Sequence, residues 1–123
     1  MERATMDILI VEDHDGMAEA TATVLRRNAH HTRRVASGAA ALHASEGDLV
    51  LLDLGLPDMD GLEVLRRLRE RGVTTPVVVM TAQSEPGLRE RVFAEGANGF
   101  INKPFSVAGL LASITAVQSR DAV

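Results

Sequence analysis

Five short strand-like runs, four of them apolar and each followed by a stretch with helical spacing, constrain this chain more than any other feature. The runs lie at residues 8–11, 33–36, 49–52, 77–80 and 100–101. Runs this short and this rich in Ile, Val and Leu read as strands, and those without polar residues read as strands buried on both faces. The segments between them carry helix signals. Asp15 can cap a first helix whose stripe is Met17, Thr21, Val24 and Asn28. Ser37-Gly38 opens an Ala-rich helix at 39–44, which Glu46-Gly47 closes. Asp60 and Glu63 bracket a capping box for a third helix, in which Leu62, Leu65 and Leu68 face inward with Val64 at their flank, and Gly72 ends it. Ser84-Glu85-Pro86 reads as the start of a fourth, anchored only by Leu88 and Val92 with Phe93 beside them. Leu110, Leu111, Ile114 and Val117 make the last one amphipathic.

Five such alternations imply an α/β fold, a doubly wound five-stranded parallel sheet with helices on both faces. The first, third and fourth runs are wholly apolar and belong inside. The second carries Arg33 and Arg34 and the fifth is short, which suits sheet edges. Order 2-1-3-4-5 satisfies this, and in that order ligands bind at the carboxyl ends of strands 1 and 3.

At 123 residues the chain is one domain, 1–123, with 119–123 a frayed tail. A net charge of −4 gives no general attraction to nucleic acid or anionic membrane. The absence of Cys excludes a disulfide frame and a thiolate metal site. The start is polar, without a signal-peptide core, and no apolar run approaches membrane-spanning length, so the expected compartment is the cytoplasm.

Strand 1 ends in Glu12-Asp13, strand 3 in Asp53, strand 4 in Thr81 and strand 5 at Lys103. Three carboxylates at one rim repel one another by the order of 1 kcal/mol per close pair. A divalent cation relieves this, and an all-oxygen set selects Mg²⁺ or a similar hard ion such as Mn²⁺. Cation, ammonium and hydroxyl are what a phosphoryl group needs around its oxygens. A carboxylate held among them can act as a nucleophile and become an acyl phosphate. The rim therefore reads as a phosphoryl-acceptor site on Asp53.

Glu12-Asp13, the stretch Asp53-Leu54-Gly55-Leu56-Pro57-Asp58-Met59-Asp60-Gly61, Thr81-Ala82 and Lys103-Pro104-Phe105 together resemble the receiver domain of bacterial two-component response regulators. The resemblance covers nearly the whole chain. It implies a phosphorylation-dependent switch rather than a conventional enzyme, one that assists its own phosphorylation and dephosphorylation. Asp53 would accept a phosphoryl group from a histidine kinase. Asp13, Asp53 and the Gly55 carbonyl would bind Mg²⁺, with Glu12 acting through water. Lys103 would pair with the phosphoryl group, Thr81 would move to bond it, and Phe100 would follow inward. Lys103-Pro104 would be a cis peptide. The output partner would read the face built by the fourth helix, fifth strand and fifth helix, with homodimerisation as one form of output.

Other residues read more plainly. Asp58 and Asp60 suit turn and cap roles, and Gly61 falls too early after Asp58 for a calcium loop. His14 reads as a solvated loop residue, and His30-His31 lack metal-ligand spacing. The Arg run of the third helix reads as a solvated face. Two other classes compete: a receiver-like interaction module that does without phosphate, and an enzyme or cofactor protein on the same fold. A flavodoxin would need a Ser/Thr/Gly loop where Glu12-Asp13 stands. A dehalogenase-type phosphatase carries its Asp-x-Asp after strand 1, where this chain has Glu12-Asp13-His14-Asp15.

Overall fold

The computed structural model describes residues 5–45 and 47–121. Five parallel strands, β1 (Asp7–Val11), β2 (His31–Val35), β3 (Leu49–Asp53), β4 (Val77–Thr81) and β5 (Gly99–Asn102), form one sheet in the order β2-β1-β3-β4-β5. Alternation of side chains along each strand splits the core in two. Leu9, Val11, Val50, Leu52, Val77 and Val79 face α2 (Gly38–His43), α3 (Gly61–Glu70) and α4 (Leu88–Ala94). Ile8, Ile10, Leu49, Leu51, Val78 and Met80 face α1 (Asp15–Arg27) and α5 (Val107–Asp121). β3 and β4 are buried along their whole length, whereas β2 alternates between exposed and half-buried positions at its edge.

The helices depart from their sequence readings in phase rather than existence. In α1 the buried stripe is Ala18, Thr21, Ala22 and Leu25. Leu25 is the bulkiest apolar residue of that helix to be fully buried, and it sets the rotation, leaving Met17 and Val24 at the flank. Asn28 lies past the helix end, where its side-chain amide donates to the Val24 carbonyl at 2.8 Å. The cap is His14 rather than Asp15: its Nδ1 accepts from the Met17 N–H at 3.2 Å. Asp15 instead pairs with Arg34. In α3, Val64 is fully buried beside Leu65 and Leu68, and Leu62 is only half-buried. Asp60 caps that helix through the Leu62 N–H, while the Glu63 carboxylate pairs with Arg66 and Arg67.

α4 begins at Leu88, later than Ser84-Glu85-Pro86 suggests, behind Gly87 at φ +82° with no side-chain cap. α5 continues to Asp121, so the helix covers most of the expected frayed tail. Residues 122–123, like Glu46, lie outside the described residues.

The Arg run of α3 is not uniformly a solvated face. Arg69 turns inward: Nη1 donates to the carbonyls of Val73 and Thr75, Nε and Nη2 to that of Gly96, and Nη2 to Asn98 Oδ1, all at 2.8–3.0 Å. One planar, five-donor group thus ties the end of α3 to the approach of β4 and the end of α4.

Candidate functional site

The β1 and β3 backbones run side by side and deliver their terminal acids to one rim. Val11 pairs with Leu52, so Glu12 and Asp53 emerge together. Glu12 is fixed three ways: its N–H donates to the Val35 carbonyl, its own carbonyl accepts from Arg34, and its Oε2 accepts from the His14 N–H. It is 1% exposed and Asp53 7%, whereas Asp13 is exposed. Oxygens of Glu12, Asp13 and Asp53 lie within 4.8 Å of one another.

Lys103 closes the cluster. Its ammonium bonds Glu12 Oε1 and lies 3.2 Å from Asp53 Oδ2. Its backbone N–H donates to the Thr81 carbonyl at 2.8 Å, which carries it to the rim from the edge of the sheet. The Lys103–Pro104 peptide is cis. Burial pushes the Glu12 carboxyl up from its ordinary value; the Lys103 bond opposes this and neighbouring Asp53 adds to it. Burial works to lower the Lys103 ammonium, but its bonds to Glu12 and Asp53 prevail and hold it above its ordinary value. The cation is therefore kept charged by the carboxylates it neutralises.

Gly55 follows Asp53 by two residues, and its N–H donates to Asp53 Oδ1 at 3.1 Å. Thr81 ends β4 and is buried, with its hydroxyl accepting from the Gln83 N–H at 2.9 Å. Phe100 sits earlier on β5, opposite Val79, half-buried against the core beneath α4. The Arg89 guanidinium lies over the Phe93 and Phe100 rings, 5.0 and 5.8 Å from their centroids. Glu12, Asp13, Asp53, Gly55 and Lys103 thus form one cluster. Thr81 adjoins it at the same sheet edge, and Phe100 stands apart.

The donor set suits a hard cation. The three carboxylates offer only oxygen, at separations one small divalent ion spans, with no His or Cys among them. Two residues by this rim make bonds that their sequence does not advertise. His14 is exposed, as a solvated loop residue would be, and also caps α1, while Asp58, whose sequence suits a local turn, bonds instead to the start of α2. The partners of Asp58, Gly38 and Ala39, are distant in the chain, and no sequence spacing advertises them.

An open parallel sheet in this strand order, with carboxylates and a lysine at its switch point, defines an α/β protein of the doubly wound class. The chain belongs to the response regulator receiver domain family, whose family model matches residues 8–115. Among curated proteins it is 35% identical over 118 residues to the cell cycle transcriptional regulator CtrA of Caulobacter vibrioides, covering 94% of this chain and 51% of that protein. It is 38% identical over 120 residues to the transcriptional regulatory protein TctD of Salmonella typhimurium, covering 95% and 54%. The chain thus spans about half the length of the curated relatives it matches.

Among solved structures, a signal receiver domain from Vibrio parahaemolyticus superposes with a TM-score of 0.88 at 28% identity, covering 95% of this chain and 92% of that one. The receiver domain of a sensor histidine kinase from Pseudomonas aeruginosa superposes at 0.77 with 32% identity, covering 89% and 93%. That structure has a magnesium ion coordinated in its active site cleft.

Proposed function

We propose that this domain is a phosphorylation-dependent switch of a two-component system, with Asp53 as the phosphoacceptor. The observation that carries the reading is the convergence of three carboxylates with one lysine that bonds two of them. In the reaction, an Asp53 carboxylate oxygen attacks the phosphorus of a phosphohistidine on a histidine kinase or phosphotransfer protein. The P–O bond forms as the P–N bond breaks, and the imidazole leaves with the electron pair of the broken bond. Asp13, Asp53 and the Gly55 carbonyl would hold Mg²⁺ directly, and Glu12 through water. Bound there, the ion supplies positive charge to the phosphoryl oxygens.

The protein's own groups do the rest. Lys103 moves its ammonium from the carboxylates onto a phosphoryl oxygen, and the Thr81 hydroxyl, which accepts from the Gln83 N–H, turns to donate its own proton to another. These groups also assist hydrolysis of the acyl phosphate, so the domain aids both its own phosphorylation and its dephosphorylation. Phe100 then follows Thr81, and the face of α4, β5 and α5 changes for an output partner or domain, including a second copy of the domain. The proposed compartment is the cytoplasm. No described helix is long and apolar enough to cross a membrane.

Incubation with acetyl phosphate and Mg²⁺ followed by intact mass tests the assignment. The protein should gain one phosphoryl mass, and Asp53→Asn should not. Equal labelling of the Asn variant would overturn it.

A further inference from the structure

The loop from β3 to α3 carries an attachment that the rim chemistry leaves unused. At its base Gly55 and Asp60 form an isolated antiparallel bridge, and the Gly61 N–H donates to the Leu54 carbonyl at 3.0 Å. The base is tight: a Cβ at Gly61 would lie 2.5 Å from the Asp53 carbonyl oxygen. At its tip Asp58 reaches across to α2. Its Oδ1 accepts from the Gly38 N–H at 2.8 Å and its Oδ2 from the Ala39 N–H at 2.9 Å. Met59 is seated on the same spot, since a Cβ at Gly38 would lie 2.5 Å from Met59 Cγ. α2 is a firm anchor. Ser37 caps it through the Ala40 N–H, Ala41 and Leu42 are in the core, and Arg71 of the α3 end bonds the Leu42 carbonyl.

We propose that Asp58 is a positioning residue, which by fastening the loop tip to the first turn of α2 holds the Gly55 backbone against Asp53 in the geometry that cation binding needs. This rests on the reading of the rim given above. Gly55 has no side chain to pack and its position is exposed, so its placement depends on how the loop is held at base and tip. The bridge to Asp60 holds the base, and Asp58 holds the tip. Both backbone N–H groups also hold the Asp58 carboxyl below its ordinary range, Ala39 the more strongly, so the fastening persists throughout neutral pH. An outer residue that orients a ligand-bearing group typically changes metal affinity about tenfold or more when lost.

The test compares wild type, Asp58→Asn and Asp58→Ala in two measurements. Amide exchange of the metal-free proteins should show Gly55 and Leu56 opening about tenfold more often in Asp58→Ala, with α5 unchanged. Calorimetric titration with MgCl₂ should show affinity about tenfold weaker in Asp58→Ala. Asp58→Asn keeps one acceptor oxygen and should recover part of it. Should Asp58→Ala fail to fold, Asp58→Asn carries the comparison against wild type, with a smaller shift in the same direction. Unchanged exchange at Gly55 overturns the fastening, and so does unchanged Mg²⁺ affinity in a folded variant. If wild type takes up neither Mg²⁺ nor a phosphoryl group, the reading of the rim fails and the proposal falls with it.

Discussion

Lys103 shows how one side chain makes the site tolerable to the fold. Without it, Glu12 would be a buried carboxylate beside Asp53 and Asp13 with no counter-charge. Removing one partner of such a pair is costly because the other charge stays buried. Lys103→Ala should therefore lower stability by about 2–4 kcal/mol at pH 7, below the range for fully buried pairs because the lysine keeps some solvent contact. The pH dependence has a definite sign. The Glu12 carboxyl titrates above its ordinary 4.5 in the folded state, so folded protein binds its proton more readily than unfolded chain. Its charged form is what folding disfavours, and stability falls as pH rises above 4.5. In the variant that effect is larger, so the loss measured in urea should shrink between pH 7 and pH 5 as Glu12 takes up a proton. An equal loss at both pH values would show that Lys103 contributes packing rather than charge. Lys103 itself, held above 10.5, stabilises the fold below that pH and ceases to as pH rises through its folded value. These residues were legible in sequence because strand ends fix where side chains emerge. Asp58 and Arg69 were not, since each bonds backbone distant in the chain, and the sequence reads equally well with Asp58 in its own turn and Arg69 in solvent.

At the scale of elements, existence was legible and phase was not. The short runs located every strand, but β2 extends back to His31 through polar residues that only pairing with β1 makes into a strand. In α1 and α3 several spacings fit a helical stripe, and packing chose the one that buries Leu25 and Val64. α4 read as the least anchored of the longer helices, and its structure says where the weakness lies. Its first turn follows an uncapped Gly87, whereas its end is held by Arg69 on Gly96 and by Arg66 on Glu95. A phosphoryl group at Asp53 would carry about two negative charges in place of the carboxylate's one, with strong acceptors near Thr81. The response should be a shift between two populated arrangements of α4 and Phe100, since α4 starts without a side-chain cap and is tied at its other end by Arg69 and Arg66. With beryllium fluoride as phosphoryl mimic, amide NMR changes should extend from the rim to residues around Leu88 and Phe100. They should be smaller at Glu95 and Gly96. Changes confined to the loops at Asp13, Asp53 and Lys103 would mean that the face does not switch.

For the whole molecule, the sheet order followed from which runs were free of charge, and the rim followed from the order. The same arrangement sets stability against binding. Three carboxylates share one end of a domain whose net charge is already −4, and one ammonium offsets them. A cation that binds the folded rim and not the dispersed acids of the unfolded chain stabilises by mass action. At a free concentration of about a hundred times Kd this amounts to about 2.7 kcal/mol. For a domain of this size that is on the order of 10 °C in Tm. Wild type in excess Mg²⁺ should therefore melt well above the same protein in chelator. Asp13→Asn and Asp53→Asn should lose most of that difference, because each removes a charged oxygen donor. Arg69→Lys gives the contrast. It should lower Tm equally with and without Mg²⁺, since its bonds join α3, β4 and α4 far from the acids. Superimposable melts for wild type in chelator and in Mg²⁺ would mean that the acid cluster binds no cation, leaving the repulsion among its carboxylates to Lys103 alone.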